Sequence, residues 1–315
     1  AVEEMLFHLL PTVTLTRADA VDGSYADDWC RSILSEVDGQ AQATAIVCLD
    51  GTVRERTLAA PIAGLAPLDY KRTVTELVKT TVYEAVVPAL PQPPVWGSLT
   101  GVRPAKLARG LIERGMTRGE AAQYLREHFH VSPERTALTI RAAATAMELD
   151  RAIGPDDISL YVGIPFCPSR CYYCSFVSST TAQSGHLIEP YLDTLCREIE
   201  ETAVLVREAG KRVQSVYIGG GTPTTLDEVQ LTRLLQTLAE HFDFSKLREY
   251  TVEAGRPDTI TPGKLAALRR AGVGRVSINP QSMDDTVLAA IGRRHSAQDV
   301  LRAYEEARQA GFDAV

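Results

Sequence analysis

Short β-branched apolar runs alternate with longer amphipathic stretches from residue 158 onward. This alternation is typical of βα units that build a parallel sheet. Strands are predicted near 158–164, 213–218, 249–254 and 274–279. Helices are predicted near 189–209, 226–241, 262–271, 284–292 and 296–310. The pattern indicates an α/β fold, a partial TIM-like (β/α) barrel of four βα units and the start of a fifth strand, with active residues at the carboxyl ends of the strands.

The first half of the chain has a different pattern. Strand-like pieces near 5–15, 44–50 and 52–58 precede helical patterns near 69–86, 103–114, 118–128 and 133–150. We therefore predict a small α+β N-terminal domain with a helical connector over residues 1–150, followed by the barrel core over 151–315. The motif 101–104, Gly-Val-Arg-Pro, opens one of the helices. Its Arg103 is interpreted as a solvated charge, with a substrate or interdomain contact as the alternative.

Composition narrows the classes of protein. The 315 residues are 45% apolar, enough for a substantial core, and the net charge of −7 argues against a nucleic-acid surface. No secretory signal or membrane-length apolar run is visible, which predicts a cytoplasmic protein without a membrane span. The chain begins with Ala1 and ends in an apolar run, 310–315, which we interpret as a fragment trimmed at both ends, its barrel truncated on the C-terminal side.

Three cysteines, Cys167, Cys171 and Cys174, follow the first predicted barrel strand at C-x3-C-x2-C spacing. Three thiolates can hold three irons of a four-iron cluster and leave the fourth iron open for chemistry. A structural zinc normally needs four protein ligands, so zinc would require a distant fourth ligand, and buried core thiols are the other alternative. The remaining cysteines are scattered and are predicted to be plain core or surface residues: Cys30, Cys48 and Cys196.

A glycine-rich turn, 219–224, follows the second predicted barrel strand. Successive glycines let the backbone approach a ligand closely, and a following helix can direct its N-terminal partial charge at an anion. A tight βα turn without a ligand is the alternative. The position directly after the cysteine strand favours a ligand.

These motifs resemble those of the radical S-adenosylmethionine superfamily, and within it the oxygen-independent coproporphyrinogen III oxidase family, most of all its HemZ-type coproporphyrinogen dehydrogenase branch. The matching segments are 160–174, 219–224, 253–258, 277–282 and 291–295, with a weaker likeness at 101–104. The resemblance implies oxidative decarboxylation of coproporphyrinogen III propionates to vinyl groups, giving protoporphyrinogen IX in haem biosynthesis, by a 5′-deoxyadenosyl radical. It also implies an electron donor such as flavodoxin or ferredoxin.

The same resemblance implies roles for single residues. Cys167, Cys171 and Cys174 would ligate a [4Fe–4S] cluster. The positions that match contacts to S-adenosyl-L-methionine are Tyr161, Tyr173, Gly220, Gly221, Thr222, Glu253, Gln281 and Arg293.

Several residues of these segments also have a plain structural alternative. The tyrosines would pack in the barrel mouth, Glu253 would pair with Arg256 or Arg275, and His295 would be solvated or capping. A substrate rich in propionates needs cations, and Arg256 and Arg294 are predicted as substrate contacts because arginine pairs with carboxylates in a bidentate manner. Solvated arginines are the alternative.

One departure from the oxidase pattern concerns Phe176. The oxidases carry a further cysteine at this position, two residues beyond the third ligand, whereas related haem chaperones carry phenylalanine. A haem-binding transfer protein with a radical S-adenosylmethionine site is therefore the alternative function. The third alternative is a radical oxidoreductase that acts on another substrate, and the fourth is a non-catalytic iron–sulfur scaffold. The N-terminal region favours the HemZ-type interpretation.

Overall fold

The structure is a computed structural model that describes residues 1–17, 28–101, 103–312 and 314–315. The chain divides into two compact units, Ala1–Ala152 and Ile153–Val315. In the described part of the chain, no helix combines the length and the apolar character that a membrane crossing requires.

An antiparallel sheet with two helices against it forms the first part of the N-terminal unit. The strands, in sheet order, are β1 (Trp29–Val37), β2 (Gln40–Leu49) and β3 (Thr52–Pro61), and the helices are α1 (Val2–Leu9) and α2 (Pro67–Val86). The prediction of a strand near 5–15 is wrong, because the structure has helix α1 over the first part of that segment. Met5 and Leu9 lie one turn apart on the same helical face and pack against Val82.

Three further helices complete this unit: α3 (Pro104–Glu113), α4 (Arg118–Phe129) and α5 (Pro133–Arg151). Their starts follow from local chemistry, because proline occupies a first-turn position in α3 and α5. Thr117 and Glu120 form a reciprocal capping box at the start of α4. The helices share a small core around Leu125.

The second unit is a parallel sheet with helices packed on it. Its strands are β4 (Asp157–Ile164), β5 (Phe166–Cys167), β6 (Ser179–Thr180), β7 (Arg212–Gly220), β8 (Glu249–Glu253) and β9 (Arg275–Ser277). Its helices are α6 (Thr181–Ser184), α7 (Ile188–Glu208), α8 (Glu228–His241), α9 (Pro262–Arg270), α10 (Asp285–Ala290) and α11 (Ala297–Gln309).

The main sheet of this unit has the order β4-β7-β8-β9, all parallel, and β5 pairs separately with β6. Ala314 pairs in parallel with Arg275 of β9, in the place of a fifth strand. The predicted α/β fold with a partial barrel is confirmed.

The two faces of the main sheet differ. Val216 and Ile218 of β7 are buried in one core with α7 and α8, which includes Leu192 and Leu234. Side chains of successive strand residues point to opposite faces, so Tyr217 lies on the other face. That second face carries the polar residues of the candidate site.

Candidate active site

The cysteine loop is closed at its base by backbone pairing. Cys167 lies in β5, which pairs with β6, and the Ser179 amide donates to the Pro165 carbonyl at 2.8 Å. Within the loop, the Cys174 amide donates to the Cys171 carbonyl at 3.1 Å. The loop that follows β4 thus carries all three cysteines, and at β6 the chain returns to pair with the strand that contains Cys167. Cys167 and Cys171 are buried, and Cys174 is half-buried.

Two donors from other segments reach the cysteine sulfurs. The Thr222 hydroxyl donates to Cys167 Sγ at 3.4 Å. Arg256 donates through Nη1 to Cys171 Sγ at 3.3 Å. These two contacts fix the positions of the sulfurs in the loop.

The donor set of the loop, three cysteine sulfurs, is one that iron–sulfur clusters take. In the described part of the chain, no group of three or more His, Cys, Asp or Glu side chains is placed to hold one metal ion. A Cβ at Gly221 would lie 2.7 Å from the Phe166 carbonyl oxygen and 3.0 Å from Cys167 Sγ, so only glycine fits against the cysteine strand.

The glycine turn is pinned to that strand by its own amides. Gly221 donates to the Ile164 carbonyl at 2.8 Å, and Thr222 donates to the Phe166 carbonyl at 2.8 Å. Gly220 has a φ of +108°, a conformation that favours glycine. The amides of Gly221 and Thr222 are therefore already engaged, and α8 begins only at Glu228. The glycines thus bring the turn close to the cysteine strand, and the turn does not present the N-terminus of α8 to a ligand.

Glu253, at the end of β8, is held by a tyrosine that the sequence interpretation missed. The Tyr217 hydroxyl donates to Glu253 Oε1 at 2.6 Å, and burial together with this carboxylate raises the pKa of Tyr217 to about 12. Tyr161 stacks on Tyr217 with ring centroids 5.9 Å apart and is 65% exposed. The alternating pattern of β7 could have placed Tyr217 on this face. Among the described residues Glu253 forms no ion pair: Arg275 lies 3.6 Å from Glu249, and Arg256 lies 3.5 Å from Asp258.

Arg293 bridges the cysteine loop and the loop after β8. Its Nη2 donates to the Tyr173 hydroxyl at 3.0 Å, and its Nη1 donates to the Gly255 carbonyl at 2.9 Å. Tyr173 remains half exposed. The predicted cofactor contacts Tyr173 and Arg293 are thus brought together beside the cysteines.

Arg256 is not the exposed arginine at the barrel mouth that the substrate prediction assumed. Its residue surface is 3% exposed, and its guanidinium donates to the Ser169 hydroxyl at 2.5 Å and carbonyl at 3.3 Å as well as to Cys171 Sγ. Asp258 lies 3.5 Å away. These partners occupy the guanidinium, so its geometry favours holding the cysteine loop over contacting a substrate. Ser169, inside the loop, is a second residue that sequence reasoning missed.

Two predicted residues lie at the edge of this arrangement. Gln281 is exposed and has a φ of +62°, which is unusual for a residue with a side chain. Its backbone N–H donates to Asn279 Oδ1 at 3.0 Å. Arg294 is exposed. Their contacts with cofactor and substrate remain predictions.

His295 differs from the solvated or capping residue that the sequence suggested. It is 4% exposed and lies 3.8 Å from Asp258, and burial lowers the pKa of its ring. The ring is thereby held neutral next to the Arg256 segment.

Comparison with known proteins gives the class of this site. Residues 161–315 match the profile of the radical SAM superfamily. Residues 161–315 are therefore a radical SAM domain, and the cofactors of this domain are a [4Fe–4S] cluster and S-adenosyl-L-methionine. The matched region contains the three cysteines, the glycine turn, Glu253 and Arg293.

Individual proteins that are similar to this chain give a more specific comparison than the superfamily profile. The chain is 36% identical over 225 residues to the oxygen-independent coproporphyrinogen-III oxidase-like protein HemZ of Bacillus subtilis, covering 70% of this chain and 44% of the relative. It is 37% identical over 158 residues to the haem chaperone HemW of Bacillus subtilis, covering 50% and 40%. The oxygen-independent coproporphyrinogen III oxidase of Escherichia coli is 36% identical over 155 residues, covering 49% and 33%.

A solved structure, the coproporphyrinogen III oxidase HemN from Escherichia coli, aligns with a TM-score of 0.46 at 34% identity, covering 54% of this chain and 38% of that chain. The chain is thus similar to HemZ-like, HemN-like and HemW-like proteins of the radical SAM superfamily. It spans less than half the length of the curated relatives named above.

Proposed function

We propose that the protein is an oxygen-independent coproporphyrinogen III oxidase of the HemZ type. Each turnover would convert one propionate side chain to a vinyl group, with release of CO2, transfer of one hydrogen to the cofactor-derived radical and loss of one electron to an external acceptor. Repetition on a second propionate would give protoporphyrinogen IX. The observation that carries the proposal is the three-cysteine loop, joined by Arg293 and Tyr173 to the loop after β8.

The bound cofactors supply the chemistry that an oxidase of this kind needs, a radical able to remove hydrogen from an unactivated C–H bond. The chain's residues supply position. Tyr217 fixes one oxygen of Glu253, which leaves the other as an acceptor for an ammonium group. Gly221 lets the turn lie directly against the strand that carries Cys167, and exposed Arg294 is available to a propionate.

The extent of the sequence similarity supports the oxidase over the chaperone. The similarity to HemZ runs over 225 residues, which is longer than the second unit and therefore includes part of the first. The similarity to HemW runs over 158 residues. A small reductant protein such as flavodoxin or ferredoxin would supply the electron, in a cytoplasm that keeps the thiols reduced.

A haem chaperone is the second candidate, and one feature favours it. Phe176 and Val177, directly after the third cysteine, are 66% and 96% exposed, whereas apolar side chains of this size are usually buried. An exposed apolar pair beside the cysteine loop would suit contact with a flat apolar macrocycle.

The deciding experiment uses the protein at its natural length, reconstituted anaerobically with iron and sulfide. It is incubated with reductant, S-adenosyl-L-methionine and coproporphyrinogen III, and the products are read by mass spectrometry. The proposal predicts porphyrinogens that have lost CO2 and two hydrogens per converted propionate, together with 5′-deoxyadenosine, and neither product from a Cys174→Ala variant.

An intact cluster with untouched porphyrinogen would contradict the oxidase. In that case a haem titration of the same sample tests the chaperone. Stoichiometric haem binding that weakens in a Phe176→Ser variant would support it.

A further inference from the structure

The first unit contains a cavity of about 710 Å3 that is lined by residues of α2 and α3 and of the segments beside them. Its size falls within the range of about 300–1,000 Å3 that is usual for small-molecule sites. Its lining includes an unusual concentration of cations: Lys71, Arg72, Lys79, Arg103, Lys106 and Arg114. Among the described residues that line the cavity, Glu76 is the one carboxylate.

The two helices bring these cations to the same cavity. On α2, Arg72, Glu76 and Lys79 follow one another at intervals of four and three residues, so they share a helical face. Across the cavity, Arg103 and Arg114 flank α3 and lie eleven residues apart, three helical turns along the same face. Both helices therefore turn positive charge to the cavity.

Most of these cations form no hydrogen bond or close ion pair within the described part of the chain. Lys79 is engaged, since its Nζ donates to Glu4 at 2.7 Å and to Thr100 at 2.9 Å. The side chains without a hydrogen bond or ion pair among the described residues are Lys71, Arg72, Arg103, Lys106 and Arg114. Five unpaired cations around one cavity repel each other, and a polyanion would relieve that repulsion.

The floor of the cavity is apolar. Leu99 and Phe129 are buried, and Leu68 and Leu107 complete the apolar lining. Gly110, midway along the cavity wall on α3, keeps the space open, because its missing side chain would meet nothing nearer than 4.0 Å. A cationic rim over an apolar floor matches a ligand with an apolar body and several anionic groups.

We propose that this cavity is a second ligand site, which binds an amphipathic polycarboxylate with the apolar body of a tetrapyrrole. The choice of a tetrapyrrole rests on the proposed function, whereas the cationic cavity does not. Arg72, Arg103 and Arg114 pair with the carboxylates, and Leu99 and Phe129 contact the apolar body. The motif 101–104, which the catalytic site leaves unused, then has a role through Arg103.

Glu76 limits the charge of the empty cavity. Burial raises the pKa of its carboxyl, and the nearby Arg72, Lys79 and Arg114 oppose that shift. A Glu76→Gln variant keeps the shape of the side chain and removes a negative charge next to the ligand. The variant should bind the polycarboxylate more tightly, by about threefold or more.

The test is a fluorescence titration with coproporphyrin III, the stable oxidised porphyrin with four propionates. It uses the full chain with the three cluster cysteines changed to alanine, so that binding is measured without a cluster or turnover. In this background, R72A/R103A/R114A should weaken binding about 30-fold or more, because three charge-assisted pairs with the carboxylates are lost. The matched control R31A/R54A/R151A removes the same charge elsewhere in the unit and should change the dissociation constant less than about twofold.

A second variant tests the cavity without changing charge. Gly110→Leu fills the space from α3, suits a helix and should block binding while far-ultraviolet circular dichroism and thermal melting stay as in the parent. ATP serves as a competing polyanion and should not displace coproporphyrin at equal concentration.

Equal binding by the parent, the triple arginine variant and Gly110→Leu would overturn the site. Tight ATP binding with no porphyrin binding would overturn the polycarboxylate assignment. Porphyrin binding that follows the cavity variants in a protein that leaves coproporphyrinogen unconverted would support the site and contradict the proposed function.

Discussion

At the scale of single residues, the sequence predicts the cluster ligands but not the residues that hold them. Spacing alone predicts Cys167, Cys171 and Cys174 as ligands, because ligands of one cluster must lie close along a short loop. The burial of Arg256 could not be predicted, since arginine is usually exposed and only the fold brings it to Ser169. The short link from Tyr217 to Glu253 likewise joins two strands that lie far apart in sequence.

Arg256→Ala tests the role of this arginine in the cysteine loop. The change leaves the Ser169 hydroxyl and carbonyl without their buried donor, and we expect it to lower the free energy of unfolding of the apo protein by about 1–3 kcal/mol in urea titrations. After reconstitution, the loss of a positive donor at Cys171 should make the cluster's reduction potential more negative.

Arg170→Ala is the control for Arg256→Ala, because Arg170 is an exposed arginine of the same loop. It should leave both the stability and the potential within error of the parent. If Arg256→Ala also matched the parent in both measurements, the arginine would not hold the loop.

At the scale of elements, the parallel sheet and its helices were predicted to within a few residues, because β-branched runs and amphipathic stretches differ clearly in period. The first unit was harder. Helix α1 is short, and its neighbouring apolar residues mimic a strand pattern. Strand β1 escaped prediction because most of its residues are exposed, so no alternation marks it.

Gly221→Ala tests the close approach of the glycine turn to the cysteine strand. The added Cβ would lie within 3.0 Å of two carbonyl oxygens and Cys167 Sγ, so the strand must shift. We expect a loss of about 1–3 kcal/mol in the free energy of unfolding and a lower iron content after reconstitution.

Gly185→Ala is the matched change for Gly221→Ala, at a glycine with no atom within 4 Å of its would-be Cβ and an α-helical φ of −60°. It should change stability by less than about 0.5 kcal/mol. Equal stability and iron content in the two variants would refute the close approach.

At the scale of the whole molecule, chemistry concentrates at the carboxyl ends of the second unit's strands, where a parallel α/β sheet is expected to place it. The sequence predicted this location from the order of its motifs. It could not predict which amides of the glycine turn are already used, or that the first unit surrounds a cationic cavity, because both depend on packing between distant segments.

The central claim is that the three cysteines hold a four-iron cluster with one iron open to S-adenosyl-L-methionine. Electron paramagnetic resonance of the anaerobically reconstituted, reduced protein tests it most directly, recorded with and without S-adenosyl-L-methionine. The account predicts about four irons per chain and a reduced-cluster signal whose g values shift when S-adenosyl-L-methionine is added. It also predicts loss of that signal in Cys167→Ala, Cys171→Ala and Cys174→Ala. A signal unchanged by S-adenosyl-L-methionine, or a cluster that survives these substitutions, would contradict it.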